Sequence, residues 1–345
     1  MPDEPTGEPR PTTVRRRVTL TRQHRDGTHG EQTGRSERSA RPERSDPTPP
    51  RGLPPGRAVE LPDRGTTWVH HAPGPAGAPT LMLLHGWTAT AGLNWFAAYA
   101  PLARSFNVVG LDHRGHGRGI RSKRRFRLAD CADDAVALAD ELGIDSFIPV
   151  GYSMGGPIAQ LTWHRHPDRV DGLVLCATSR NFTGTAIERA AFSGLAGLAL
   201  AARVTPESWR TSLNERVIAR KPEDGAVAEW ARAEMRRNDP RAIVEAGRAI
   251  GAFSSHDWIT EVDVPTAVVI TQLDSVVPPA RQRKLAEAIP NATTHAVRGD
   301  HGVCALAPQV FVPVLREACA SVAERIATSP ATGSPAAGDV PSPDA

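Results

Sequence analysis

From residue 66 onward, short apolar runs alternate with longer stretches of helical periodicity, and this rhythm narrows the possible folds more than any other feature. The runs cover residues 67–71, 80–85, 107–112, 147–151, 172–176, 266–271 and 293–297. Most are continuously apolar instead of alternating with polar residues, as expected for strands covered by helices on both faces. Between the third and fifth runs the order of elements is clear. Ala132, Ala135, Val136, Ala139 and Leu142 recur at helical spacing, and Gly143 supplies a stop. A second helix is expected to start just after Ser153 and to end before Pro167. Strand–helix–strand order implies an α/β chain with a mostly parallel, doubly wound sheet and right-handed crossovers. One interval breaks the rhythm: between Cys176 and Thr266 the pattern is helical, with no convincing strand. An insertion of this kind is expected to cover the C-terminal edge of the sheet, where open α/β sheets bind ligands.

The strongest local signal is Gly151-Tyr152-Ser153-Met154-Gly155, followed by Gly156, placed directly after an apolar strand and before a helix. A strand-to-helix turn this tight forces Ser153 into a strained backbone conformation, and side chains two residues to either side would collide. Gly151 and Gly155 remove that collision and leave the Ser153 hydroxyl at a helix N-terminus, where the dipole opposes developing negative charge. A serine hydroxyl needs a general base, oriented by a third group, to act as a nucleophile. His301, in Gly299-Asp300-His301-Gly302, follows the last strand run; Asp274 follows the run at 266–271. Both stand at C-terminal strand ends, on the same edge as Ser153. Asp300 is an alternative carboxylate, but sequence neighbours rarely orient one imidazole.

With these residues in view, the chain resembles the α/β-hydrolase superfamily over about residues 65–325. His85-Gly86-Trp87 is similar to that family's oxyanion loop after its third strand, and Asp112-His113-Arg114-Gly115-His116-Gly117 to the D-x-R-G-x-G turn after its fourth. Counted in those strands, the helical cap is inserted after the sixth core strand. The order Ser153, Asp274, His301 is the family's order. The resemblance implies an oxyanion hole formed by the backbone N–H groups of Trp87 and Met154, and it implies catalysis without a cofactor. The Thr271-Gln272 pair replaces the glycine usual near the acid strand end. Relatives that open epoxides or remove halide carry Asp at the nucleophile position, which is Ser153 here.

Composition bounds the rest. Residues 1–57 carry twelve Arg against eight acidic residues, whereas the remainder is balanced at 29 basic and 30 acidic, so the net charge of +3 belongs to the N-terminal segment. That segment holds ten of the 31 prolines, and residues 328–345 hold four more. Both ends read as disordered tails. The expected organisation is a tail at 1–57, a hydrolase core at 58–178 and 259–327, a helical cap at 179–258 and a second tail at 328–345. The tail lacks aromatic interleaving and its acids dilute the charge, so it does not read as a nucleic-acid surface. Cys131, Cys176, Cys304 and Cys319 lack paired spacing, and no histidine cluster has metal-ligand spacing. His85 and His116 read as structural donors. The N-terminus lacks the apolar region of a secretory signal, and the longest apolar stretch, residues 190–202, is too short to span a bilayer. A cytoplasmic protein with no integral membrane association is expected; no feature reads out the oligomeric state.

The expected activity is that of a capped serine hydrolase acting on a small-to-medium, fairly apolar ester. Acyl transfer, thioester or C–C cleavage, perhydrolysis and non-catalytic ligand binding use the same constellation, because fold does not choose among them. Tyr152, Trp87, Trp209, Trp230, Trp258 and Phe253 are candidate substrate contacts. Arg118, Arg121, Lys123, Arg124, Arg125 and Arg127 form a basic run that reads as a solvated loop.

Overall fold

In the computed structural model, which describes residues 47–183 and 225–328, the apolar runs form an eight-stranded sheet. The strands are β1 (Gly56–Leu61), β2 (Gly65–Ala72), β3 (Thr80–Leu84), β4 (Asn107–Leu111), β5 (Ile148–Tyr152), β6 (Leu173–Cys176), β7 (Thr266–Thr271) and β8 (Thr293–Val297). They lie in the order β1-β2-β4-β3-β5-β6-β7-β8. β2 pairs antiparallel with both β1 and β4, and every other pairing is parallel. The described helices are α1 (Ala91–Trp95), α2 (Tyr99–Leu102), α3 (Leu128–Glu141), α4 (Gly155–Arg165), α5 (Ala226–Arg236), α6 (Pro240–Ala252), α7 (Pro279–Ala288), α8 (Val303–Leu306) and α9 (Pro308–Thr328).

The unbroken apolar character of the central strands follows from the layering. Along β3, Met82 and Leu84 enter one core with α3, α4 and α7, whereas Leu81 and Leu83 enter a second with α1, α2, α8 and α9. Successive side chains point to opposite faces, so a strand covered on both sides needs apolar residues throughout. Helix α3 ends where expected: Gly143 has φ +65°, and the next amide, Ile144 N–H, bonds the carbonyl of Ala139 at 2.8 Å.

β2 to β8 coincide with the seven predicted runs to within two residues, but β1 corrects the N-terminal boundary. Gly56 and Arg57 pair with His70 and Val69, so the expected tail at 1–57 ends inside a strand. Upstream of it, the carbonyl of Pro54 accepts a hydrogen bond from His70 Nδ1 at 2.8 Å, and Leu53 packs on the second core. The strand escaped notice because it lies at the sheet edge and buries only Val59 and Leu61 of its six residues.

Helices α5 and α6 fall in the interval expected to form the cap; residues 184–224 of that interval lie outside the described residues, as does the apolar stretch at 190–202. The two helices rest on the loops that follow β3 and β4. Asn238 bonds the carbonyl of Thr88 and the amide of Gly117, each at 2.8 Å, and Glu245 accepts from the amide of Phe126 at 2.7 Å. The basic run takes part in this seam and is not merely solvated. Arg118 pairs with Glu234 at 3.1 Å while lying over the Trp68 ring, and Arg121 donates to the carbonyls of Gly119 and Arg237. Among the described residues, no helix is long and apolar enough to cross a membrane.

Candidate active site

Ser153 sits at the turn between β5 and α4 with φ +52°, in the left-handed region that side chains rarely adopt. Two close approaches force this turn. A methyl group on Gly151 would stand 2.2 Å from the carbonyl oxygen of Gly155, and one on Gly155 would stand 2.0 Å from that of Leu84. Neither position accepts a larger residue without moving backbone. The turn is pinned on both sides of the serine peptide: Ser153 N–H donates to the Cys176 carbonyl at 3.0 Å, and Thr178 Oγ1 donates to the Ser153 carbonyl at 2.8 Å.

The structure brings Ser153, His301 and Asp274 into one line. Ser153 Oγ lies 2.9 Å from His301 Nε2, and His301 Nδ1 lies 2.7 Å from Asp274 Oδ2. The acid is closely held. Asp274 Oδ2 also accepts from Thr271 Oγ1 at 2.7 Å, and Oδ1 accepts the N–H groups of Val276 and Val277, both at 2.8 Å. Burial works against charge on this carboxyl, but the hydrogen bonds from His301, Val277 and Thr271 outweigh it and hold Asp274 below the ordinary carboxylate range. An ionised acceptor at Nδ1 assigns the ring proton to that nitrogen and leaves Nε2 to accept the serine proton. Asp300, the alternative acid, instead accepts the N–H of Gly302 at 2.9 Å in its own exposed loop.

The loop after β3 is fixed atom by atom at Gly86. Its N–H donates to Asn94 Oδ1 at 3.0 Å, and its carbonyl accepts from His85 Nδ1 at 2.8 Å. His85 Nε2 in turn accepts the N–H of His113 at 2.9 Å, so the ring bridges the loops after β3 and β4. Burial, with His113 and His116 as neighbours, keeps the His85 imidazole well below its ordinary pKa and therefore neutral, as this pairing requires. The Trp87 N–H shares a peptide plane with the anchored Gly86 carbonyl. Among the described residues, neither that N–H nor the N–H of Met154 meets a hydrogen-bond acceptor. A cavity of 160 Å³ opens over Ser153 and His301 and is walled by Trp87, Leu93, Asn94, Tyr152, Cys304 and Ala305, among others.

The predicted substrate contacts divide. Trp87 and Tyr152 line the cavity, and their side-chain polar atoms are already paired: the Trp87 indole donates to the Ile243 carbonyl and the Tyr152 hydroxyl to the His301 carbonyl, each at 2.8 Å. Trp230 and Trp258 are elsewhere. Trp230 meets Phe96 edge-on at 6.0 Å and borders a separate cavity beside Trp68 and His70, while Trp258 stacks on His164 at 4.3 Å and meets Phe253 edge-on. Both serve packing between layers. Trp209 lies outside the described residues. Asn94, Cys304 and Gln282 escaped the sequence reading. Gln282, fully buried on α7, donates to Thr271 Oγ1 and to the Val277 carbonyl, both at 2.7 Å, and accepts the Thr271 N–H at 3.0 Å. Nothing in a lone Gln on a helix announces that role. Among the described residues, no group of three His, Cys, Asp or Glu could hold a metal ion, and all four cysteines are free and buried.

Comparison with known proteins agrees with this architecture. Residues 79–203 match the family model described as the alpha/beta hydrolase fold. A Caulobacter sp. (strain K31) protein named "Putative carbamate hydrolase RutD" is 29% identical over 250 residues, 69% of this chain and 90% of that protein. The pimeloyl-[acyl-carrier protein] methyl ester esterase of Chromobacterium violaceum is 29% identical over 69% of this chain and 93% of its own length. Among solved structures, the enol-lactonase from Burkholderia xenovorans LB400 superposes with a TM-score of 0.63 at 22% identity, covering 76% of this chain and all of that one. Sheet order, turn geometry and these relatives converge: the chain has the α/β-hydrolase fold and is an enzyme of hydrolase type.

Proposed function

We propose that the chain is a serine hydrolase that cleaves small-to-medium, fairly apolar esters through an acyl-enzyme on Ser153. The observation that carries this reading is the continuous relay from Ser153 Oγ through His301 to Asp274, with contacts of 2.9 and 2.7 Å. In the first half-reaction, Ser153 Oγ bonds to the ester carbonyl carbon as its proton passes to His301 Nε2. The carbonyl oxygen becomes an oxyanion that takes hydrogen bonds from the N–H groups of Trp87 and Met154; donors so placed typically contribute about 3 kcal/mol each. Collapse of the tetrahedral intermediate breaks the C–O bond, and the leaving alkoxide takes the proton from His301. Water then repeats the sequence against the acyl-enzyme, giving its proton to His301 and releasing the acid and free Ser153. Asp274 keeps the imidazole oriented and stabilises its charged form, without itself taking the proton.

Residues 179–258 act in this proposal as a cap, a reading supported by the way α5 and α6 grip the loops after β3 and β4. A carbamate is a second reading of the substrate, favoured by the name of the Caulobacter relative. It presents the same carbonyl to the same groups. The test is a comparison of wild type with Ser153→Ala on a panel of esters and carbamates of graded chain length. Turnover by wild type and its loss in the variant support the proposal; equal rates for the two proteins on every substrate would overturn it.

A further inference from the structure

Behind the acid of the relay lies a pair of polar side chains that the acyl-transfer steps leave without a part. Thr271, at the end of β7, and Gln282, on α7, are both fully buried. Thr271 Oγ1 stands 2.7 Å from Asp274 Oδ2 and 2.7 Å from Gln282 Nε2. A hydroxyl carries a single proton, so between two such partners it donates to one and accepts from the other. The Gln282 amide decides which. Its Oε1 accepts the Thr271 N–H at 3.0 Å, and its Nε2 donates to the Val277 carbonyl at 2.7 Å. A flipped amide would set oxygen against that carbonyl and NH₂ against that N–H, so Nε2 is the group that faces Thr271. The hydroxyl accepts from Gln282 and turns its own proton to Oδ2; among the described residues it meets no other acceptor.

Oδ2 is also the atom that accepts from His301 Nδ1 at 2.7 Å. Each donor on a carboxylate oxygen favours its charged form and spreads that charge, which weakens its pull on the next donor. Oδ1 is occupied by the amides of Val276 and Val277, so the hold of the carboxylate on the imidazole is set at Oδ2. Neighbouring titratable groups do not set it. Burial pushes the Tyr152 hydroxyl on β5 and the Cys304 thiol on α8 up, so both stay neutral. Arg298 and Asp300 lie exposed in the loop after β8, where Asp300 caps Gly302. On α7, Arg281 is half-buried, and Arg283, Lys284 and Glu287 are exposed.

We infer that Thr271 and Gln282 are positioning residues of the reaction: Gln282 fixes the direction of the Thr271 hydroxyl, and that hydroxyl keeps Asp274 Oδ2 ionised and in place while moderating its pull on His301. The imidazole then remains a free base to lower pH than a carboxylate without this donor would allow. The relay runs from Gln282 through Thr271, Asp274 and His301 to Ser153. The inference rests on Ser153 being the nucleophile and His301 its base.

The test follows the rate at which a fluorophosphonate labels Ser153 as a function of pH, which reports the protonation of the base in the free enzyme. In that reaction Ser153 Oγ bonds to phosphorus, fluoride leaves, and the serine proton passes to His301. Thr271→Val keeps the shape of the side chain and removes the donor, Thr271→Ser restores it, and Gln282→Met keeps the length of the side chain without its hydrogen bonds. Without the Thr271 donor the carboxylate presents more of its charge to Nδ1–H, the charged imidazole is favoured, and the acidic limb of the profile moves to higher pH. Thr271→Val should move it by about 0.5 pH unit or more, about a threefold loss of rate on the limb. Gln282→Met should move it in the same direction, and Thr271→Ser should return it to the wild-type position. A merely structural role would lower the rate at every pH and leave the limb in place. A limb within about 0.2 pH unit of wild type in Thr271→Val or in a folded Gln282→Met overturns the inference, as does an equal displacement in Thr271→Val and Thr271→Ser. Thermal unfolding checks the folding of each variant, and the Thr271 pair decides alone if Gln282→Met does not fold. A labelled wild type with unmoved limbs removes only the role of Thr271 and Gln282, whereas an unlabelled wild type removes the nucleophile itself.

Discussion

Asp274→Asn is the substitution whose consequence the geometry determines most fully. The carboxylate accepts on two sides: Oδ1 takes the amides of Val276 and Val277, and Oδ2 takes His301 Nδ1 and Thr271 Oγ1. An asparagine can offer its oxygen to one side only. With the oxygen toward His301, two backbone N–H groups face an NH₂ group, at about 1–3 kcal/mol each for a donor without an acceptor. With the oxygen toward Val276 and Val277, the NH₂ group faces Nδ1, and the imidazole must carry its proton on Nε2 to accept from it. The second arrangement is the cheaper one. It leaves Nε2 as a donor facing Ser153 Oγ, unable to take the serine proton. The fall in kcat for this inversion of tautomer is on the order of 10⁴. Steady-state turnover of an ester that wild type accepts measures it, with thermal unfolding as the check on folding. Asp300→Asn is the paired control, expected within about twofold of wild type because Asp300 caps Gly302 and does not reach the imidazole. An Asp274→Asn enzyme within tenfold of wild type, or an Asp300→Asn enzyme as impaired as Asp274→Asn, would refute the assignment.

Tyr152→Phe removes the hydrogen bond to the His301 carbonyl while keeping the ring that packs on Trp95 and Phe311; kcat should fall about three- to tenfold, the kinetic equivalent of one ordinary hydrogen bond, with KM little changed. Deletion of residues 1–46 should leave the unfolding temperature unchanged. Deletion through residue 57 removes the start of β1, the Leu53 packing and the bond between Pro54 and His70, and should lower it by several degrees at about 2–4 °C per kcal/mol. Equal unfolding temperatures for the two truncations would contradict the placement of β1. Asp112 is fully buried, and burial pushes its carboxyl up to about 6. A raised carboxyl supports the fold while protonated, so its contribution is complete below the unfolded value and is lost, on the order of 3 kcal/mol, as pH rises through about 6. Denaturant unfolding of Asp112→Asn should lack this decline between about pH 4 and pH 7; a profile parallel to wild type sinks the prediction.

Much of the fold could be read from the chain because its signals are local. A strand covered on both faces announces itself as an apolar run, as β3 and β5 do. The turn at Ser153 is written in glycines that the backbone of Gly155 and Leu84 leaves no choice about. His301 and Asp274 follow from standing at the ends of recognisable strands. What escaped depends on partners distant in sequence. β1 is an edge strand half exposed to solvent, so its pattern merges with the polar segment before it. Trp230 and Trp258 have the composition of pocket walls, but which surface an aromatic ring meets is decided by packing between elements. Asn94 and Gln282 are ordinary polar residues on helices whose importance arises from an amide at Gly86 and a hydroxyl at Thr271. Their pairing is a property of the folded layers, not of any motif.

The central claim is that Ser153 carries the acyl group, and intact-protein mass spectrometry tests it without intermediaries. Wild-type enzyme quenched in acid during turnover of a short p-nitrophenyl ester should gain the mass of one acyl group, mapped by peptide fragmentation to Ser153. Ser153→Ala should gain none. An adduct on another residue, or turnover that persists in Ser153→Ala at the wild-type rate, would contradict the account.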